Sequence, residues 1–198
     1  MRRIEKVDGV IEITANTIES IEFPKLVEVG GYLAVYEDAN VKELKFPALR
    51  TVGDALAIDT VDKLVSMDFS ALESVGDWLY VLWNDAIETV SFPALKSVVG
   101  IVFEKNQALT TVEDFAALEE IVGAGDGTDA SYELVYVANH PALTSFGKLG
   151  TVSEIDGHIG FFSNPELPQE DIDALFENID VKGQKRFCGN KGGEPCLM

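Results

Sequence analysis

The chain is poor in the residues that most chemistry uses. Its 198 residues include two histidines and two cysteines. Neither His140 nor His158 stands in a metal-ligand or nucleophile pattern such as His-x-x-x-His or Gly-x-Ser-x-Gly. No glycine loop is suited to phosphate. Carboxylates are so numerous that no pair singles itself out as a glycosidase couple. We therefore expect no enzyme, no metal and no cofactor. Basic residues are also scarce, with 15 Lys and Arg against 34 Asp and Glu and a net charge of −19. That field repels nucleic acid and anionic membranes, so neither is expected as a partner. No run of about 18 apolar residues occurs, so no direct membrane insertion is expected. The opening "MRRIEKVDGVIEI" has two arginines but lacks the apolar stretch of a signal peptide. A repeat is already running at Val10. We expect an upstream segment to have been removed from a secreted or surface protein; a cytosolic protein is the alternative.

The two cysteines, Cys188 and Cys196, lie in the Gly/Pro-rich "CGNKGGEPCL". Their closeness predicts a local disulfide and hence an oxidising compartment. The stretch has too few ligands for a metal site.

What the chain has in plenty is repetition. A Phe-x-x-Leu unit recurs as Phe23/Leu26, Phe46/Leu49, Phe69/Leu72, Phe92/Leu95 and Phe115/Leu118, with the phenylalanines 23 residues apart. Val29, Val52, Val75, Val98 or Ile121 follows each Leu by three. A glycine comes next in most copies: Gly30, Gly53, Gly76, Gly100 and Gly123. Then comes an alternating stretch, Leu33/Val35, Leu56/Ile58, Leu79/Val81, Ile101/Phe103, Leu134/Tyr136 and Ile159/Phe161. Alternation of period two predicts a strand with one buried face. A polar position follows it at Asn16, Asp38, Asn84, Asn106, Asn139 and Asn164, broken by Val61 in the third copy. Stacked Asn side chains there can bond the backbone of the turn and form a ladder. Recurrent Pro24, Pro47 and Pro93 exclude a helical reading.

No unit is long enough to bury its own apolar residues, but stacked units bury them together. The expected fold is mainly β: a right-handed β-solenoid of about seven turns of about 23 residues over 1–167. Residues 168–198 are read as part of the same domain. They hold a capping helix in "PQEDIDALFENI", with Ile172, Leu175, Phe176 and Ile179 on one face, and the Cys188–Cys196 loop as a staple.

The wording "FPxLxxVGxxLxVxxN" resembles the receptor L-domain family of leucine-rich-repeat-like β-helices. That family includes the ligand-binding L domains of insulin- and epidermal-growth-factor-type receptors. The repeats resemble still more closely those of fungal cell-wall proteins and bacterial secreted proteins. The resemblance spans roughly residues 10–165 and implies a scaffold rather than a chemistry. It departs from the pattern at Val61, in a one-residue slip near Val99–Gly100, and in an insertion at 122–132.

Outward positions distinguish the faces. Those flanking each Phe are polar, as in Glu19, Ser20 and Glu22 or Lys42, Glu43 and Lys45. Those of the first strand are not. They read Tyr32, Ala34, Tyr36; Ala55, Ala57, Asp59; Trp78, Tyr80, Leu82; Gly100, Val102, Glu104; Glu133, Val135, Val137; and His158, Gly160, Phe162. Aromatics among small residues at solvent positions predict a binding patch. The alternative is cross-strand packing that stabilises the sheet. The candidate ligand residues are Tyr32, Tyr36, Trp78, Tyr80, Leu82, Val102, Val135, His158 and Phe162, with the 124–131 loop at the margin. Calcium on Asp126, Thr128 and Asp129 is a minor alternative for that loop. The expected function is non-enzymatic recognition or adhesion, with a protein or carbohydrate as ligand. A structural spacer, or a weak homodimer through the aromatic face, is the other outcome. In the receptors that the family includes, this broad sheet is also where ligand binds.

Overall fold

The computed structural model describes residues 4–14, 17–123 and 133–197. Each copy of the repeat makes one turn of a parallel β-solenoid, about seven in all. The Phe-Pro-x-Leu wording is a tight turn. The Leu49 N–H returns to the Phe46 carbonyl at 3.1 Å, and Leu72 to Phe69 at 3.0 Å. Proline at the second place of such a turn supplies the required φ without an ordering cost. The Val after each Leu enters an eight-stranded sheet of two-residue strands, from Lys6–Val7 through Glu28–Val29 and Thr51–Val52 to Asp180–Val181. A glycine corner follows. A Cβ on Gly53 would lie 2.1 Å from the Gly30 carbonyl oxygen, and one on Gly76 would lie 2.0 Å from that of Gly53. Turns stacked this closely leave no room for a side chain.

The alternating stretch forms a second eight-stranded sheet, the broad sheet. Its strands are Ile11–Thr14, Leu33–Tyr36, Leu56–Asp59, Trp78–Leu82, Gly100–Glu104, Glu133–Ala138, His158–Phe162 and Lys185–Cys188. The third side of the coil carries two three-stranded sheets, Ser20–Glu22 with Glu43–Lys45 and Ser66–Asp68, then Thr89–Val90 with Thr111–Val112 and Ser145–Phe146.

Two internal columns hold the turns together. One is aromatic. Phe23, Phe46 and Phe69 stack at 5.4 and 5.2 Å between ring centres, followed by Phe92 at 6.0 Å and Phe115 at 6.3 Å. Beyond the insertion the spacing fails. Leu149 takes the place of Phe115, its carbonyl accepting from Val152 at 3.1 Å as that of Phe115 accepts from Leu118. The column shifts to Phe146, 6.2 Å from Phe115 and 5.2 Å from Phe161. Each such ring, fully buried, contributes about 1.5–3 kcal/mol by transfer from water.

The other column is polar. The Oδ1 of Asn84 accepts the Val61 N–H at 3.0 Å, and the Oδ1 of Asn106 accepts the Asn84 N–H at 3.0 Å. Their amide groups donate to the carbonyls of Ile58 and Val81 at 3.0 and 2.9 Å. In the next turn the rung is His140, not Asn139: Asn139 is half-exposed and His140 is fully buried. Asn164 and Asn190 continue below it. Residue 139 carries the left-handed φ that precedes every described rung. Glu37, Thr60, Trp83, Lys105, Asn139, Ser163 and Gly189 have φ between 49° and 68°. Position 139 is therefore a turn position that tolerates Asn, which is why an Asn there imitates a rung in the sequence. Asn16 lies outside the described residues.

The helix α1, Gln169–Leu175, takes the third side of the last turn, beside Ser145–Phe146. Ile172 and Phe176 are buried, and Leu175 and Ile179 are partly so. The chain then adds one more strand to each long sheet, Asp180–Val181 and Lys185–Cys188. The coil thus continues past residue 167. Lys185 lies in register with the inward-facing Ile159 and donates to the Phe176 carbonyl at 2.8 Å, where α1 ends. Cys188 and Cys196 are bonded, with Cα atoms 4.9 Å apart. A loop of that size contributes about 2–3 kcal/mol by restricting the unfolded chain. At the opposite end no described element caps the edge strands Lys6–Val7, Ile11–Thr14 and Ser20–Glu22. Ile13, Ile18, Ile21, Phe23 and Pro24 line a cleft of about 610 Å³ there, together with Glu12 and Glu22.

Candidate functional site: the outer face of the broad sheet

Parallel register sorts the outward residues of the broad sheet into columns. The middle column runs Glu12, Ala34, Ala57, Tyr80, Val102, Tyr136, Gly160 and Arg186. The next runs Thr14, Tyr36, Asp59, Leu82, Glu104, Ala138, Phe162 and Cys188. At the strand starts, Trp78 faces Gly100 and Glu133 faces His158. Tyr32, Tyr36, Trp78, Tyr80, Leu82, Val102, His158 and Phe162 all lie on this face and are half-exposed. Among the described residues no strand or helix is laid over them.

Val135 is different. It is fully buried, paired with the inward Ile101, and points into the core with Val137. A register shift between Glu133 and Val135 turns the strand by one residue, so Leu134 and Val135 are both buried. Tyr136, read from the sequence as inward, is the residue that faces out. The insertion before this strand removes the spacing that would have fixed its phase. A bulge reverses every side chain beyond it. The 124–131 segment, with Asp126, Thr128 and Asp129, lies outside the described residues.

The aromatics form three local groups. Trp78 and Tyr80 are near-parallel, with ring centres 6.0 Å apart and planes 18° apart. The indole covers the neighbouring glycine: a Cβ on Gly100 would meet Trp78 Cζ3 at 2.4 Å. Tyr136 and Phe162 lie 5.7 Å apart, and Phe162 covers Gly160 in the same way. Tyr32 and Tyr36 both donate to the Glu12 carboxylate at 2.7 Å, one to each oxygen. The two hydroxyls stabilise the charged form of Glu12, so its carboxyl sits below the usual range and both phenols sit above theirs. Burial first, then Glu104 and Glu133, pushes the Tyr136 phenol up.

His158 closes one edge of the face, its Nδ1 accepting the Gln184 N–H at 2.6 Å. Arg186 reaches Glu133 at 3.1 Å. Trp83 is an aromatic that the alternation does not single out, because it lies one residue past the strand. It is 40% exposed, with the Lys105 ammonium 5.3 Å above its ring. With Asp59, Thr60, Asp62 and Asp85 it lines a shallow recess of about 510 Å³.

The other faces carry ion pairs between successive turns. Lys6 meets Glu28 and Lys42 meets Glu19, each at 3.0 Å, and Glu73 takes Lys96 at 2.8 Å as well as Arg50. Exposed pairs of this kind contribute about 0–1 kcal/mol each. They keep those faces wet, whereas the broad sheet gathers the exposed aromatic rings among its polar residues. No protein-family model, curated protein or solved structure matches the chain.

Proposed function

We propose that the protein is a non-enzymatic recognition or adhesion module, secreted or displayed at a cell surface. It binds a protein or glycan through the outer face of its broad sheet. The observation that carries this reading is the group of half-exposed rings, Trp78, Tyr80, Tyr136 and Phe162, gathered on one face of a rigid sheet. Large rings held by a rigid sheet offer contact area at low entropy cost, and such residues dominate binding hot spots. Glu12, Asp59 and Glu104 supply acceptors at the margin for hydroxyl or amide donors. The Cys188–Cys196 bond is consistent with an oxidising compartment. The coil and the "FPAL…VG" wording together support a kinship with receptor L domains.

A second reading has its own support. Trp78 and Phe162 each cover a glycine of the sheet, and Tyr32 and Tyr36 are engaged by Glu12. Those contacts suit a spacer whose aromatics serve packing alone. A glycan array and a protein pull-down with wild type and Trp78→Ala/Tyr80→Ala separate the readings. A ligand lost in the variant, with circular dichroism unchanged, supports recognition. A ligand indifferent to both changes, or none at all, supports the spacer.

A further inference from the structure

The polar column contains an imidazole where its neighbours on both sides contain carboxamides. His140 is fully buried, and its Nδ1 accepts the Asn106 N–H at 3.1 Å. Its own N–H donates to the Asn164 Oδ1 at 3.1 Å. The accepting Nδ1 leaves the ring proton on Nε2, which is buried with no hydrogen-bond partner. An Asn rung uses its NH₂ group differently. Asn106 reaches the Val81 carbonyl, and Asn164 reaches that of Val137. The equivalent carbonyl for position 140 is that of Phe103, which pairs with both Val81 and Val137. The imidazole thus holds only the upper rung, the lower bond being made by the His140 backbone N–H, and its Nε2 forgoes the lateral bond.

Position 140 also sits where the coil is least regular. Its turn follows the insertion, contains the bulge at Glu133/Val135, and has Leu149 in place of the recurrent Phe. We propose that His140 is an acid-operated rung: uncharged, it ties the turn bearing Tyr136 to the turn of Asn106, and protonated, it releases that tie. A proton on Nδ1 would face the Asn106 N–H, donor against donor. The Asn106 carbonyl, 3.4 Å from Nδ1, is too far to replace the lost bond well. Among the described residues no charged side chain is bonded to the ring. On the turn above, Glu104 and Lys105 are paired with each other at 3.6 Å. On the turn below, Glu166 is paired with Lys191 at 3.5 Å. Burial pushes the imidazole below its usual range, against weaker opposition from the Phe103 and Asn106 backbone. A group depressed in the folded state contributes stability above its unfolded value. That contribution is lost as pH falls through the folded one. The loosening therefore begins as pH falls through the ordinary histidine range and is complete below the depressed folded value.

The test is amide hydrogen exchange at pH 7.5 and 5.0, corrected for intrinsic rates, on wild type, His140→Asn and His158→Asn. The expected result is a loss of protection of about tenfold or more at the Asn106 amide in wild type and His158→Asn, and none in His140→Asn. Unchanged protection in wild type, or an equal loss in His140→Asn, overturns the proposal. If His140→Asn does not fold, ¹⁵N titration of the two wild-type imidazoles decides. A His140 midpoint at or above that of His158 overturns the proposal, and one below it supports it.

Discussion

Replacing Asn106 by Ala should be among the most damaging changes in the chain, although no apolar contact defines it. The side chain makes three bonds. Its Oδ1 accepts from the Asn84 N–H at 3.0 Å and from the Asn84 amide at 3.1 Å, and its Nδ2 donates to the Val81 carbonyl at 2.9 Å. Removing it strands the buried Asn84 N–H and takes one of two acceptances from the Val81 C=O, which stays in the ladder beside Glu104. The orphaned N–H costs about 1–3 kcal/mol and the lost bond to Val81 about 0.5–1.5 kcal/mol, a loss of about 1.5–4.5 kcal/mol. The Asn84 amide keeps its bond to Ile58 and adds little to the loss. Urea unfolding followed by circular dichroism measures the change, with exposed Gln107→Ala as the control, expected within about 0.5 kcal/mol. Because a coil can break between turns, hydrogen exchange at Asn84 should accompany it. A loss under about 1 kcal/mol would refute the reasoning, since the freed groups must then have found other partners.

Phe69→Ala should cost about 3–5 kcal/mol, because its ring is buried between Phe46 and Phe92. Phe23→Ala, at the N-terminal end of the stack, should cost distinctly less in the same denaturation assay. Thr60, a β-branched residue at φ 53°, carries strain that Asn tolerates better. Thr60→Asn should raise the melting temperature by about 2–4 °C, and a fall would show that its bond to Asp59 outweighs the strain. In Tyr32→Phe/Tyr36→Phe the Glu12 carboxyl should titrate higher by NMR, because the two donors that hold it ionised are gone.

The internal half of each turn was legible because burial imposes it on the sequence. Phe, Leu and Val recur at 23 residues wherever a side chain must fill the same space in each turn. The alternation of the broad sheet follows for the same reason. What failed to show is backbone. The left-handed residue before each rung is Glu, Thr, Trp, Lys, Asn, Ser or Gly, so no residue type marks it. Without that landmark Asn139 passes for the rung. The inward assignment of Tyr136 has a related cause: one extra residue in a bulge leaves composition untouched but inverts the strand. The last strand, Lys185–Cys188, was hidden because its Lys and Arg break the apolar alternation. Lys185 occupies an inward position yet extends to the end of α1.

Whether the aromatic face serves packing or recognition can be decided partly without a ligand. Trp78 covers Gly100, and a Cβ there would come within 2.9 Å of three indole atoms. Gly100→Ala should therefore push the indole off its seat and destabilise the protein. In a Trp78→Ala background the three contacts nearest that Cβ are gone. It should then stabilise by about 0.5–1 kcal/mol, the usual gain on removing glycine from a strand. The two effects differ in sign, so a double-mutant cycle should show a coupling of about 1–2 kcal/mol. Coupling of that size means that part of the exposed indole is committed to the sheet, and the Trp78→Ala binding result must be read against Gly100→Ala. Absent coupling would mean that the indole moves aside freely. Packing would then no longer account for a tryptophan at that position, and recognition would be left to explain it.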